Sequence, residues 1–462
     1  MEEQCDISLE SRIQFIQHIL YSKLPSHLQK TGHSAKKRLV VTSCKVELLN
    51  RSELGFHAAS VMFRAEIEFK ENSGEEINTG VYSLLVKSIH NLAIVRKMQH
   101  SELQFYNEVT LYSNVAPRLL EMCAVSSSNN DVQYYHKMAS NLFPKYFYAS
   151  YEEGIVSMED LRLLGFKNGG NADMIMDYDH ILLAVKNLAV FHALSYGAKR
   201  NNLVEFENKV IKAVKDARGF SEIKDYSDKM QCGYLIYLQH TTSLVLEKFT
   251  ENEYDYAILH DRKLSKLKEA VSDIKNLDKF LKLLLTPEEP LSVLSHGDFN
   301  MNNMVFKYDS NNRPADVKFL DFQNIYYCSP VIDLSFLLYM NSSPEVRAQH
   351  WDELFNAYHQ TLVQAISEFT NSSMEEVSSV YSLEAFQQEL SKHCFYGFLI
   401  ASSFIIGVTS QAGEQDPFKN VNAEALTNDF EEEMKKMCTL EREDVSRRIF
   451  SLLKDMLPIM QI

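Results

Sequence analysis

The chain has 462 residues, 45% of them hydrophobic, and a formal net charge of −15. This length exceeds what one core usually holds, so two lobes are expected. The acidic balance excludes the broad basic surface that nucleic acid or anionic membrane selects.

The N-terminal stretch Met1-Glu2-Glu3-Gln4-Cys5-Asp6 is acidic and lacks the basic-then-apolar plan of a secretory signal. The seven cysteines, at 5, 44, 123, 232, 328, 394 and 438, form no Cys-x-x-Cys pair, which argues against a zinc site and a disulfide framework. A cytoplasmic location is the expectation. Within the first 30 residues, Ile13, Phe15, Ile16, Ile19 and Leu20 fall near helical spacing and predict an amphipathic helix that caps a lobe.

From Arg38 to Lys87 the pattern turns to strands. They are expected at Leu39–Thr42, Val46–Leu49, Ser60–Phe69 and Val81–Lys87, punctuated by turns at Asn72-Ser73-Gly74 and Asn78-Thr79-Gly80. An antiparallel sheet of this kind suits a small nucleotide-clamping lobe. The phosphate loop is expected at Leu54–Ser60, which holds one glycine; backbone N–H groups around Ala58-Ala59 and the Ser60 hydroxyl are its candidate phosphate contacts. Lys87 ends a strand where a lysine can reach the α- and β-phosphates. Its partner should be a glutamate on the next helix, Ser101–Tyr112, which offers Glu102 and Glu108. Glu108 is preferred because it sits mid-helix between Phe105 and Tyr112.

Two more strands are expected in Phe143–Ser150 and Gly154–Leu161. The residues from Glu159 to Leu161 would set their backbone against an adenine edge as a hinge. Helical patterning follows, as in Tyr178–Leu194, where His192 reads as a core histidine. The apolar run Phe395–Val408 is short for a bilayer span and reads as a buried helix.

Chemistry concentrates in His296-Gly297-Asp298-Phe299-Asn300-Met301-Asn302-Asn303 and the later Leu320-Asp321-Phe322. An aspartate able to accept a hydroxyl proton, an asparagine five residues on and a second aspartate after a hairpin are what metal-dependent phosphoryl transfer requires. Asp298 is the candidate base; Asn303 and Asp321 are the candidate Mg²⁺ ligands. The strand Asp316–Leu320 would deliver Asp321 at its end, after a turn at Asp309–Pro314. His296 is expected to support the loop by packing and hydrogen bonding.

These residues resemble the ecdysteroid-kinase-like family, within the aminoglycoside- and choline-kinase-like superfamily, from about Arg38 to Gly407. The specific marks are Glu159-Asp160-Leu161 with Gly165-Phe166, Phe191-His192-Ala193, the doubled Asn302-Asn303, Asp321-Phe322-Gln323 and Asp333-Leu334. Tryptophan commonly stands at the place of Asn300 in that branch, so packing or substrate contact is expected to differ here.

The resemblance implies an α+β, bilobal protein-kinase-like fold with a small antiparallel-sheet N-lobe and a larger, mainly helical C-lobe. It divides the chain into a helical extension at 1–37, a nucleotide clamp at 38–160 and a catalytic lobe at 161–462. It also implies ATP and Mg²⁺ as cofactors and a small-molecule alcohol as acceptor; the acidic charge and the short apolar run lead to no expected nucleic acid partner and no membrane span. Lys87 and Glu108 would form the phosphate-orienting pair, and Asp333 would brace the catalytic loop through its backbone. Two other readings stay open: a degenerate nucleotide-binding pseudokinase that acts by interaction, and a choline- or ethanolamine-type kinase, which needs an aromatic cage for its cation.

Overall fold

A computed structural model describes residues 8–30, 38–49, 60–72, 77–90, 96–97, 100–124, 133–217, 223, 225–228, 232–410 and 439–461. The chain opens with helices α1 (Leu9–Ser22) and α2 (Leu24–Lys30). Strands β1 (Arg38–Leu48), β2 (Ser60–Asn72) and β3 (Ile77–Ile89) follow, then helix α3 (Ser101–Thr110). After α3 the helix loosens into a π-helical turn at Leu111–Val115 and resumes over Ala116–Met122. Strands β4 (Tyr146–Ser150) and β5 (Ile155–Glu159) complete a five-stranded antiparallel sheet in the order β1-β2-β3-β5-β4. The two strand segments expected before residue 50 form the single strand β1, with an irregularity between Val41 and Ser43 that lets the alternation slip without ending the pairing.

One face of the sheet is covered by the first two helices. Ile16, Ile19, Leu20, Leu24 and Leu28 pack with Leu39, Val41, Phe63, Ile67, Leu84 and Val86 into a core of their own. Successive strand residues face opposite sides, so Val86 in that core puts Lys87 on the other face, toward the cleft. Phe15, expected on the buried stripe of α1, is 38% exposed, with the Arg12 guanidinium over its ring.

The remainder is mainly helical. It is built around α4 (Tyr178–Lys209), α5 (Gly233–Asn252), α6 (Val331–Asn341), α7 (Pro344–Thr370), α8 (Leu383–Ser410) and α9 (Glu443–Ile459). The run Phe395–Val408 lies within α8. Helices spanning 178–213 and 374–408 are long and apolar enough to cross a membrane by length and composition alone, but 83% and 78% of their apolar windows are buried within the fold. They are core helices here. Among these helices sit two small ladders, β6 (Val293–Ser295) with β9 (Tyr326–Cys328), and β7 (Met304–Tyr308) with β8 (Pro314–Phe319). They carry the loop from His296 to Asn303 and the turn at Asp321 between them.

Candidate active site

The catalytic-loop candidate leaves β6 at Ser295 and enters β7 at Met304. Gly297 makes its sharp bend at φ +80°, a region that favours glycine, and a β-carbon there would lie 1.9 Å from the Asn324 carbonyl oxygen. From α6, buried Asp333 accepts the His296 N–H at 2.6 Å and the Gly297 N–H at 2.8 Å. Asp333 in turn accepts from His192 Nε2 at 3.1 Å, and the Tyr358 hydroxyl lies 2.8 Å from His192 Nδ1. His192 is thus a core histidine that also anchors the brace. His296 is fully buried and donates from Nε2 to the Leu320 carbonyl at 2.9 Å. Burial lowers its pKa against the opposing pull of Asp333, which favours a neutral ring.

Asp298 is half-buried at the cleft floor, and each of its carboxylate oxygens is held by a different amide. Asn303 Nδ2 donates to Oδ2 at 2.9 Å, and Asn300 Nδ2 donates to Oδ1 at 2.8 Å. Desolvation by the cleft and the nearby Asp321 charge push the Asp298 pKa up to about 6, while the two amides pull the other way. The Asn303 amide nitrogen is committed to Asp298, which leaves its oxygen as the end available to a cation.

Strand β8 and Leu320, whose N–H reaches the Asn303 carbonyl at 2.8 Å, set Asp321 beside the loop. Asp321 takes a left-handed conformation, φ 59°, which aspartate tolerates better than most residues. Its Oδ1 lies 2.6 Å from Lys87 Nζ, and Glu108 Oε2 lies 2.6 Å from the same ammonium. Burial works against the Lys87 charge, but the Asp321 and Glu108 carboxylates outweigh it and hold its pKa above the ordinary value. Gln323 Oε1 accepts a further, longer bond from Lys87 at 3.4 Å. Glu102 lies apart from this cluster, beside Tyr151.

The fold therefore brings Lys87, Glu108, Asp298, Asn303 and Asp321 to one cleft from four separate segments. Ser60 starts β2 opposite Ile89 and is buried, while the expected phosphate-loop residues 54–59 lie outside the described residues. At the expected hinge, the Glu159 side chain accepts the Lys145 N–H at 2.9 Å and Leu161 is buried. Asp160 between them forms a two-point ion pair with Arg162, at 2.8 and 2.7 Å, and stiffens the crossing between sheet and helices.

Two contributors carried no local signal in the sequence. Asn107, beside Glu108, exchanges two hydrogen bonds with the Lys215 peptide, at 2.8 and 3.0 Å, and donates to the Gln323 carbonyl at 3.3 Å. Asn341, at the end of α6, accepts the Met301 N–H at 3.0 Å and donates to the Met174 carbonyl at 2.9 Å. Asn300, where the resemblance implies altered packing or substrate contact, instead pairs with Asp298 and Asn302 inside its own loop. Asparagine side chains that pair with backbone far along the chain leave no periodicity or motif behind.

A five-stranded antiparallel sheet above a helical region, with a buried Lys–Glu pair facing an Asp-x-x-x-x-Asn loop, defines a kinase-like protein. The ecdysteroid kinase-like family model matches residues 55–370, and the chain belongs to that family. No curated protein matches the chain.

Proposed function

We propose that the protein is an ATP- and Mg²⁺-dependent kinase that phosphorylates a hydroxyl of a small molecule, with an ecdysteroid-like or other lipophilic alcohol as the favoured acceptor. The observation that carries this reading is the convergence of Lys87, Glu108 and Asp321 within 2.6 Å contacts, next to an Asp298 held by Asn303. Asp321 and the Asn303 oxygen are hard oxygen donors of the kind Mg²⁺ accepts, and the cation usually keeps waters and substrate phosphates as its remaining ligands. A Mg²⁺ held by Asp321 and the Asn303 oxygen would supply positive charge against the negative charge that develops during phosphoryl transfer.

The chain's own residues divide the rest of the work. Lys87, kept protonated and aimed by Glu108, orients the α- and β-phosphates, and the backbone from Glu159 to Leu161 receives the adenine edge. Asp298 takes the proton of the acceptor hydroxyl as the new oxygen–phosphorus bond forms and the bond to the departing ADP breaks. With a pKa near 6, Asp298 is mostly ionised at neutral pH and close enough to neutrality to serve as a base. The acceptor preference rests on the family. A flat alcohol needs apolar walls with few polar groups to orient it. The buried cysteines Cys123, Cys232, Cys328 and Cys394, none of them in a disulfide, support a reducing, cytoplasmic setting for the reading.

The test is ATP consumption by purified protein with Mg²⁺ across steroid alcohols, amino alcohols and plant secondary metabolites. An ecdysteroid should exceed choline in kcat/KM. A preference for choline would move the protein to the choline-type reading, and silence with every alcohol despite tight ATP binding would make it a pseudokinase.

A further inference from the structure

Asn300 is 1% exposed and uses both ends of its amide. Its Oδ1 accepts the Asn302 N–H at 3.0 Å and so caps the short 3-10 turn Met301–Asn303. Its Nδ2 donates to Asp298 Oδ1 at 2.8 Å and to the Asp298 carbonyl at 3.2 Å. Asn303 Nδ2 holds the opposite carboxylate oxygen and the same carbonyl, at 2.9 and 2.8 Å. The base therefore has one amide donor on each oxygen.

The terminal torsion of an aspartate is broad and roughly two-fold, so a single hydrogen bond lets the carboxylate plane turn. Donors on both oxygens fix that plane, and a base must point a lone pair at a defined place to take a proton. The two asparagines are not equivalent in this. Asn303 has a second duty, because its amide oxygen is the end available to a cation. Asn300 has its oxygen committed to the Asn302 N–H, inside the loop, and is held there by the turn that it caps.

We infer that Asn300 is a positioning residue for phosphoryl transfer, fixing the carboxylate plane of Asp298 through Nδ2 separately from its capping of the turn. The inference rests on Asp298 being the base, as proposed above. It assigns to Asn300 a share of turnover and none of nucleotide binding.

Serine separates the two duties. It is a good helix cap whose hydroxyl can still accept the Asn302 N–H, but it is too short to reach Asp298 Oδ1. Wild type, Asn300→Ser, Asn300→Ala and Asp298→Asn are compared in Mg·ATP turnover, with ecdysone as acceptor and with water alone, alongside thermal melting. Asn300→Ser should melt close to wild type yet lose about tenfold or more in kcat, with KM for Mg·ATP within about twofold, since a base whose carboxylate plane turns slows proton transfer without touching the nucleotide. Asn300→Ala should lose the same turnover and melt lower. If Asn300→Ser turns over like wild type while Asp298→Asn does not, Asn300 is only a cap and the inference is overturned. If Asp298→Asn itself turns over like wild type, the base assignment fails and this inference falls with it.

Discussion

At the scale of single residues, Asp298 sets stability against use. Its pKa lies near 6 rather than at its ordinary 3.8, so the folded chain holds that proton more tightly than the unfolded chain does. Ionised Asp298 thus costs stability above about pH 6, and the cost fades as pH falls toward 4. Two pKa units correspond to at most about 3 kcal/mol, and less here because the group is partly exposed. Asp298→Asn removes that charge but sets an amide donor against Asn300 or Asn303, so it should melt no higher than wild type at pH 7.5 while losing about 10²–10⁴ in turnover, with nucleotide affinity nearly unchanged. A variant that keeps its turnover would remove Asp298 from the chemistry. The partner of Lys87 is tested in the same way. Glu108→Gln should raise KM for Mg·ATP and depress turnover together, because the pair orients phosphates in ground and transition state alike. Glu102→Gln, on the face beside Tyr151, should be silent, and the reverse result would exchange their roles.

At the scale of elements, the catalytic loop is held from several sides, and each support predicts its own failure. Gly297→Ala places a methyl 1.9 Å from a backbone oxygen at a φ that alanine resists, so the strand-to-loop bend must shift. We expect a loss of about 1–3 kcal/mol from the backbone strain alone, read by thermal melting, with turnover falling in parallel. The far side depends on α9. Arg448 donates to the Asp173 and Met340 carbonyls at 2.6 Å each, and Arg347 reaches Asp455 and Ser451 on the same helix. Met340 precedes Asn341, whose side chain holds Met301. Arg448→Leu strands the buried Met340 carbonyl and should cost about 1–3 kcal/mol, with reduced turnover; an unchanged melting curve would show that α9 does not support the loop. What was legible beforehand follows from this geometry. Lys87, Glu108, Asp298, Asn303 and Asp321 were readable because the chemistry fixes residue type and spacing within a loop, or places a residue at the end of a strand. Asn107 and Asn341 were not, because each folds an ordinary amide onto a partner that only the tertiary structure selects, and Asn300 stood out by its residue type without revealing that it turns back onto Asp298. The strand edges were similarly blurred: β1 runs through the irregularity that had suggested two strands, and β8 starts at Pro314, two residues before its expected start.

At the scale of the whole molecule, the hydrophobic residues divide into two clusters, and α3 sides with the larger one. Phe105 and Val109 belong to the core that runs through the helical region, while the opposite face of the sheet forms its own core with α1 and α2. Asn107 fastens α3 further to the Lys215 peptide and to Gln323. Lys87 stands on the sheet, Glu108 on α3 and Asp321 on the turn after β8, so the contacts of one buried ammonium join three elements. On the proposed kinase reading, opening the site to release ADP would draw the ammonium away from two carboxylates and wet all three. Buried ion pairs are costly to leave with one partner missing, so on that reading such an opening should be slow compared with proton transfer. The tempo of the cycle would then be set by product escape, and added viscogen should slow it.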